Sequence, residues 1–165
     1  MKISKEEFSR IYDEYIEPIY RFVALKVNAR EIAEDLTAEV FLRFWKGRTD
    51  TPVQKVRPFL YQIARHVIAD HYRKHGGKQT VSIDATEDLQ SPAADELVEQ
   101  ASLRLDMERV QEALREISDD YQDLIIWKYI DELSTQEIAQ ITGKTEENVR
   151  VGLHRALQAL RAKLG

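Results

Sequence analysis

The sequence predicts an all-α protein: two small helical bundles joined by a flexible acidic linker. Three observations carry that prediction. Apolar residues recur at spacings of three and four through most of the chain, the period of one helix face. Two Ser-x-x-Glu segments stand immediately before such runs, where a helix start is expected. Strand patterns are nearly absent, and the stretch from Lys78 to Gln100, rich in Ser, Thr, Asp, Glu and Ala with Pro92, shows almost no periodicity. The expected layout is a first bundle over 1–76, a linker over 77–100 and a second bundle over 101–165. Hydrophobic residues make up 43% of the 165, enough for cores. Bundles this small should have modest independent stability.

In the first bundle, Ser4-Lys5-Glu6-Glu7 reads as a capping box. Phe8, Ile11, Tyr12, Tyr15, Ile16, Ile19 and Val23 follow on one face. Pro18 lies inside the run and is expected to kink or divide the helix, since it lacks an N–H and its ring crowds the preceding turn. Asn28-Ala29-Arg30-Glu31 opens a second helix, whose stripe is Ala33, Leu36, Val40, Phe41 and Phe44 and whose stop is Gly47. Residues 48–57 read as a loop. A third helix begins near Pro58, with Phe59, Leu60, Ile63, Ala64, Val67, Ile68 and Tyr72 on its apolar side, and Gly76-Gly77 ends it.

Helical pattern resumes with Leu103, Met107, Val110, Leu114 and Ile117, then with Leu124, Ile125, Tyr129 and Ile130. Ser134 and Glu137 form the second capping box. Gly143 sits at a sharp turn where a positive φ costs nothing, and Thr145 caps the helix that follows. Short helix, glycine turn, second helix is the helix-turn-helix arrangement. Val149, Leu153, Ala156, Leu157, Leu160 and Leu164 would face the bundle. That leaves Asn148, Arg150, Val151, His154, Arg155 and Gln158 facing outward. A major-groove reading helix needs such a face: arginines for guanine edges or phosphates, Asn for adenine, Val for a thymine methyl. An ordinary helical hairpin with a charged solvent face would share much of this pattern.

The net charge of −5 argues against nucleic acid only on average. Residues 51–78 carry six basic side chains and one acidic, a net of +5, whereas 79–120 carry three and twelve, a net of −9. Residues 143–165 carry five and two, a net of +3. Phosphate binding depends on local Lys and Arg, and salt screens a distant acidic block beyond about 8–10 Å. Between Lys55 and Lys78 the basic residues alternate with Phe59, Tyr61, His66, His71 and Tyr72, a mixture suited to a backbone and unstacked bases. A solvated helix with core aromatics is the plainer account, and Phe59 and Tyr72 do fall on the apolar stripe.

Other chemistries find little support. There are no cysteines, which excludes disulfides, thiolate zinc sites and thiol redox sensing. His71 and His75 are four apart but lack a carboxylate-rich partner motif, so no metal and no cofactor are expected. No nucleotide loop, nucleophile triad or isolated carboxylate pair stands out, so no enzyme is expected. With no apolar run near the roughly 18–20 residues of a membrane span and no secretory signal, the expectation is a cytoplasmic protein without membrane insertion.

Both ends of the chain resemble one family. Residues 35–45 (DLTAEVFLRFW) and 58–66 (PFLYQIARH) look like region 2 of a bacterial extracytoplasmic-function sigma factor, of the sigma-70 family. Residues 136–139 (QEIA) and 155–161 (RALQALR) look like its region 4. The resemblance implies a transcription initiation factor that joins core RNA polymerase, reads the −10 and −35 elements of promoter DNA and helps melt the former. It implies polymerase contacts at Asp35, Glu39, Leu42 and Arg43. It implies −10 strand contacts at Lys55, Arg57, Arg65, His66 and Asp70, and −35 duplex contacts at Arg150, Val151, His154 and Arg155. An anti-sigma factor would hold the free, monomeric chain inactive. The acidic linker is either a spacer or a segment threading the polymerase cleft. Glu146-Glu147 and Val151-Gly152 depart from the usual pattern, in which a small or glycine-rich entry precedes a basic or serine pair. A stand-alone helix-turn-helix regulator, or a helical interaction module without DNA binding, stays open at this point.

Overall fold

The computed structural model describes residues 3–27, 29–47, 55–75 and 108–164. The linker expected over 77–100 and the start of the second bundle lie outside them. The chain divides into two compact units, Met1–Ala85 and Thr86–Gly165. All regular structure among the described residues is helical.

The first unit packs three helices against one another: α1 (Lys5–Lys26), α2 (Arg30–Lys46) and α3 (Val56–Lys74). Ser4 caps α1 by accepting from the Glu7 amide at 3.1 Å, and Glu7 takes the Ser4 hydroxyl at 3.2 Å. Pro18 does not divide α1, which runs unbroken for 22 residues. A proline forfeits one backbone bond, and here Ile19, Phe22 and Val23, all fully buried just beyond it, hold the helix to its neighbours. The α2 stripe is as expected except that Thr37 replaces Leu36 in the interior, its hydroxyl donating to the Ala33 carbonyl at 2.7 Å. Gly47 caps α2, with φ of −101°, so the stop does not use a left-handed conformation.

Helix α3 starts two residues before Pro58. Val56 is buried, and its burial draws the chain into the helix ahead of the proline. Tyr61, grouped with possible base-stacking aromatics, is a core residue, 1% exposed and set edge-on against Phe22 at 5.5 Å. Phe59 packs on Phe44 at 5.8 Å, as the apolar stripe predicts. The Tyr72 hydroxyl donates to the Lys26 carbonyl and closes α3 on the end of α1.

The second unit contains α4 (residues 108–116), α5 (Asp119–Ile125), α6 (Thr135–Thr142) and α7 (Glu146–Leu164). From α5 the chain widens into one π-helical turn, Ile126–Ile130, where the Asp131 amide reaches the Ile126 carbonyl at 2.8 Å. That extra residue per turn overrides the simple 3.6 period. Trp127 is driven fully inside while Tyr129, expected on the apolar face, stays 53% exposed. Ala113, Leu114, Ile117, Ile125, Ala156 and Leu160 form the core that joins α4, α5 and α7.

Candidate nucleic-acid interface

The α6–α7 pair forms as its local sequence dictates. Ser134 and Glu137 complete a reciprocal capping box, 3.0 and 3.1 Å. Gly143 stands at φ 70°, and the Asn148 amide donates to Thr145 Oγ1 at 3.1 Å to start α7. Burial of Val149, Leu153, Ala156 and Leu160 fixes the rotation of α7. Arg150, Val151, His154 and Arg155 are therefore exposed together on its outer face, with Asn148 and Gln158. Val151 is 44% exposed, an apolar surface of the kind a thymine methyl can cover. Arg150 lies 4.0 Å from Glu146, one turn back; both are largely exposed, so the attraction is weak and readily exchanged for a DNA group.

Gly152, which costs the helix up to about 1 kcal/mol relative to Ala, has a structural reason that its position in the sequence did not reveal. A Cβ there would stand 3.0 Å from Leu124 Cδ1 on α5. The glycine thus lets α7 approach α5 closely.

Two of the five α3 candidates are set differently from expectation. Lys55 and Arg57 do not lie in a loop: Lys55 is the N-cap of α3 and Arg57 stands in its first turn. Lys55 and His66 are exposed, while Arg57 and Arg65 are half-buried. Gln62, Arg65, His66, Ala69, Asp70 and Arg73 recur at three and four and make one polar stripe.

On α2, Asp35 and Leu42 are exposed, Leu42 at 46%. Glu39 and Arg43 are half-buried neighbours joined at 2.9 Å. Arg43 also reaches across to Asp70 of α3 at 3.2 Å, and Asp70 holds Arg73 in turn. The structure therefore unites Glu39 and Arg43, expected on a polymerase face, with Asp70, expected on a strand face. Arg73, one of the six basic side chains of residues 51–78, is a fourth member. The Glu39–Arg43 and Asp70–Arg73 spacings are legible in sequence, but the link between the helices is not.

His71 and His75 stand with ring centroids 4.5 Å apart at the end of α3, and His75 Nδ1 lies 2.9 Å from the His71 carbonyl. Burial, and then the neighbouring His75, hold the His71 imidazole below its ordinary value of 6.5. Among the described residues, no three His, Cys, Asp or Glu side chains converge as a metal site.

Comparison with known proteins accords with this geometry. Residues 11–77 match the family model for Sigma-70 region 2, and residues 107–160 that for Sigma-70, region 4. The chain is 31% identical over 152 residues to the ECF RNA polymerase sigma factor SigM of Bacillus subtilis, covering 92% of this chain and 91% of that one. It is 31% identical over 173 residues to the ECF RNA polymerase sigma factor SigW of the same organism, covering 99% and 91%. Among solved structures, the sigma factor RpoE of Bartonella quintana, in complex with the anti-sigma factor NepR, superposes with a TM-score of 0.75 at 20% identity. That match covers 96% of this chain and 97% of that one.

Proposed function

The chain belongs to the extracytoplasmic-function branch of the sigma-70 family, and from that premise we propose how its two units share promoter recognition. Sigma factors are non-enzymatic initiation factors, and this one serves promoter-specific transcription initiation. In our reading the chain binds core RNA polymerase through Asp35, Glu39, Leu42 and Arg43 of α2. An uncovered leucine among charges suits docking onto a helical partner, with charge setting register more than affinity. Lys55, Arg57, Arg65, His66 and Asp70 serve the opened −10 strand. Arg150, Val151, His154 and Arg155 read the −35 duplex. Domains over 1–76 and 101–165, with a linker over 77–100, are the division this reading uses.

The single observation that carries it is the outer face of α7: two arginines, a histidine and a bare valine, presented from a capped helix behind a left-handed glycine turn. Glu146 and Glu147 at the head of that helix weaken nonspecific attraction to phosphates. The duplex affinity of α7 is accordingly low, and tethering to polymerase raises its effective concentration. An anti-sigma factor that covers α2 is the regulator this reading entails; the Bartonella relative is bound to one. The site of action is the cytoplasm, the free chain is a monomer, and no described helix is long and apolar enough to cross a membrane.

The stand-alone regulator is not favoured, because it leaves the match over residues 11–77 without a role. Run-off transcription by purified core polymerase on fragments of the source genome, with and without the chain, tests the proposal. Discrete start sites that depend on the chain are expected, with two different upstream elements about two helical turns apart. Absence of such starts together with failure to co-purify with core polymerase would overturn it.

A further inference from the structure

A single carboxylate, Asp70, stands among the six basic side chains of residues 51–78. On a surface meant for a phosphate backbone an acid repels the ligand, so its presence calls for a cause. The structure supplies one. Asp70 Oδ2 forms an ion pair with Arg43 of α2 at 3.2 Å, and Oδ1 accepts from Arg73, one turn further along α3. Both oxygens are engaged, and the side chain is only 29% exposed, whereas Arg73 is 75% exposed. Arg43 spends its Nε on Glu39 at 2.9 Å. Four alternating charges thus run from Glu39 through Arg43 and Asp70 to Arg73, from the docking helix to the strand-binding helix.

Resting on the sigma-factor reading above, we infer that Asp70 is a positioning residue for promoter opening and not a base contact. It fixes Arg43 against α3 and aims the exposed Arg73 guanidinium at the backbone of the separated strand. Arg43 thereby belongs to the strand-holding machinery as well as to the docking face. A carboxylate drawn between two guanidinium groups and 29% exposed would have to weaken those ion pairs to turn towards a base edge. A guanidinium held at one edge keeps its remaining N–H groups for phosphate.

The test uses full-length chain assembled with core polymerase on a promoter found by the run-off experiment. Promoter opening is measured by permanganate reactivity of unpaired thymines at saturating holoenzyme, for Asp70→Asn, Asp70→Glu, Arg43→Gln and the Asp70→Asn/Arg43→Gln pair. Asp70→Asn should slow opening roughly three- to tenfold, the scale of one or two partly exposed charge pairs in a network. For Asp70→Asn, core affinity, measured separately, should change less than the opening rate. Arg43→Gln should have a similar effect on opening, the double variant should be no worse than the more severe single, and Asp70→Glu should restore part of the rate. Base preference along the −10 element should be that of the wild type. A changed preference at one −10 position in Asp70→Asn would make it a base contact and overturn the inference. Additive effects of the two substitutions, or no effect on opening, would do the same. Failure of the wild-type chain to support initiation would instead sink the functional reading, which the run-off control detects by itself.

Discussion

Gly143 offers a clean test of how the reading helix is aimed. It joins α6 to α7 at φ 70°, and a Cβ built there meets nothing within 4 Å. Gly143→Ala therefore carries no steric term with the rest of the protein. What is left is the intrinsic cost of a left-handed L-residue, about 1–2 kcal/mol. Loss of unfolded-chain entropy returns about 0.4–1 kcal/mol of that. The net is about 1 kcal/mol, a roughly fivefold shift in the unfolding equilibrium. The two tryptophans make this measurable, because the structure puts Trp45 in the first unit and the fully buried Trp127 in the second. In a Trp45→Phe background, Trp127 fluorescence reports the second unit alone. With a urea dependence near 1 kcal/mol per M for so small a unit, the midpoint should fall by roughly 0.5–1 M. Gly143→Asn should cost less than Ala, since Asn tolerates the left-handed region. An unchanged or raised midpoint for Gly143→Ala, or an Asn variant worse than Ala, would refute the reasoning.

Three further outcomes are expected. Arg150→Ala should leave stability within about 0.5 kcal/mol, because the side chain is exposed. It should weaken holoenzyme binding at the upstream element by about 1–3 kcal/mol, confined to one or two base pairs when base-substituted promoters are compared in gel-shift titrations. Gly152→Val should destabilise the second unit by about 1–3 kcal/mol through overpacking against Leu124, and combining it with Leu124→Ala should cost less than the sum of the two in the same urea assay. The third concerns pH. Burial and His75 lower the His71 pKa, so the folded state binds its proton less readily than the unfolded chain does. The first unit should then hold its stability above the ordinary value of 6.5 and lose part of it as pH falls below that value. Hydrogen exchange of α3 amides, corrected for intrinsic rates, should show this loss, and His71→Gln should abolish it; equal protection at pH 5.5 and 7.5 in the wild type would contradict the assignment.

The caps of α6 and α7, the turn between them and the outer face of α7 were legible in the sequence. Each of these follows from local rules: Ser134 caps the amide three residues on, Gly143 takes a conformation other residues resist, and a 3.6-residue period sorts Val149 and Leu153 inward from Arg150 and His154 outward. Tertiary structure decided whatever depends on residues far apart in the chain. Helix α1 passes through Pro18 because packing beyond the proline outweighs one lost backbone bond. Tyr61 belongs to the core because Phe22, 39 positions earlier, covers it. The π-helical turn rotates Tyr129 outward to bury Trp127. Asp70 meets Arg43 only when α2 and α3 lie side by side. Periodicity reports which face of a helix avoids water, whereas the identity of the neighbour across that face is a property of the assembled bundle.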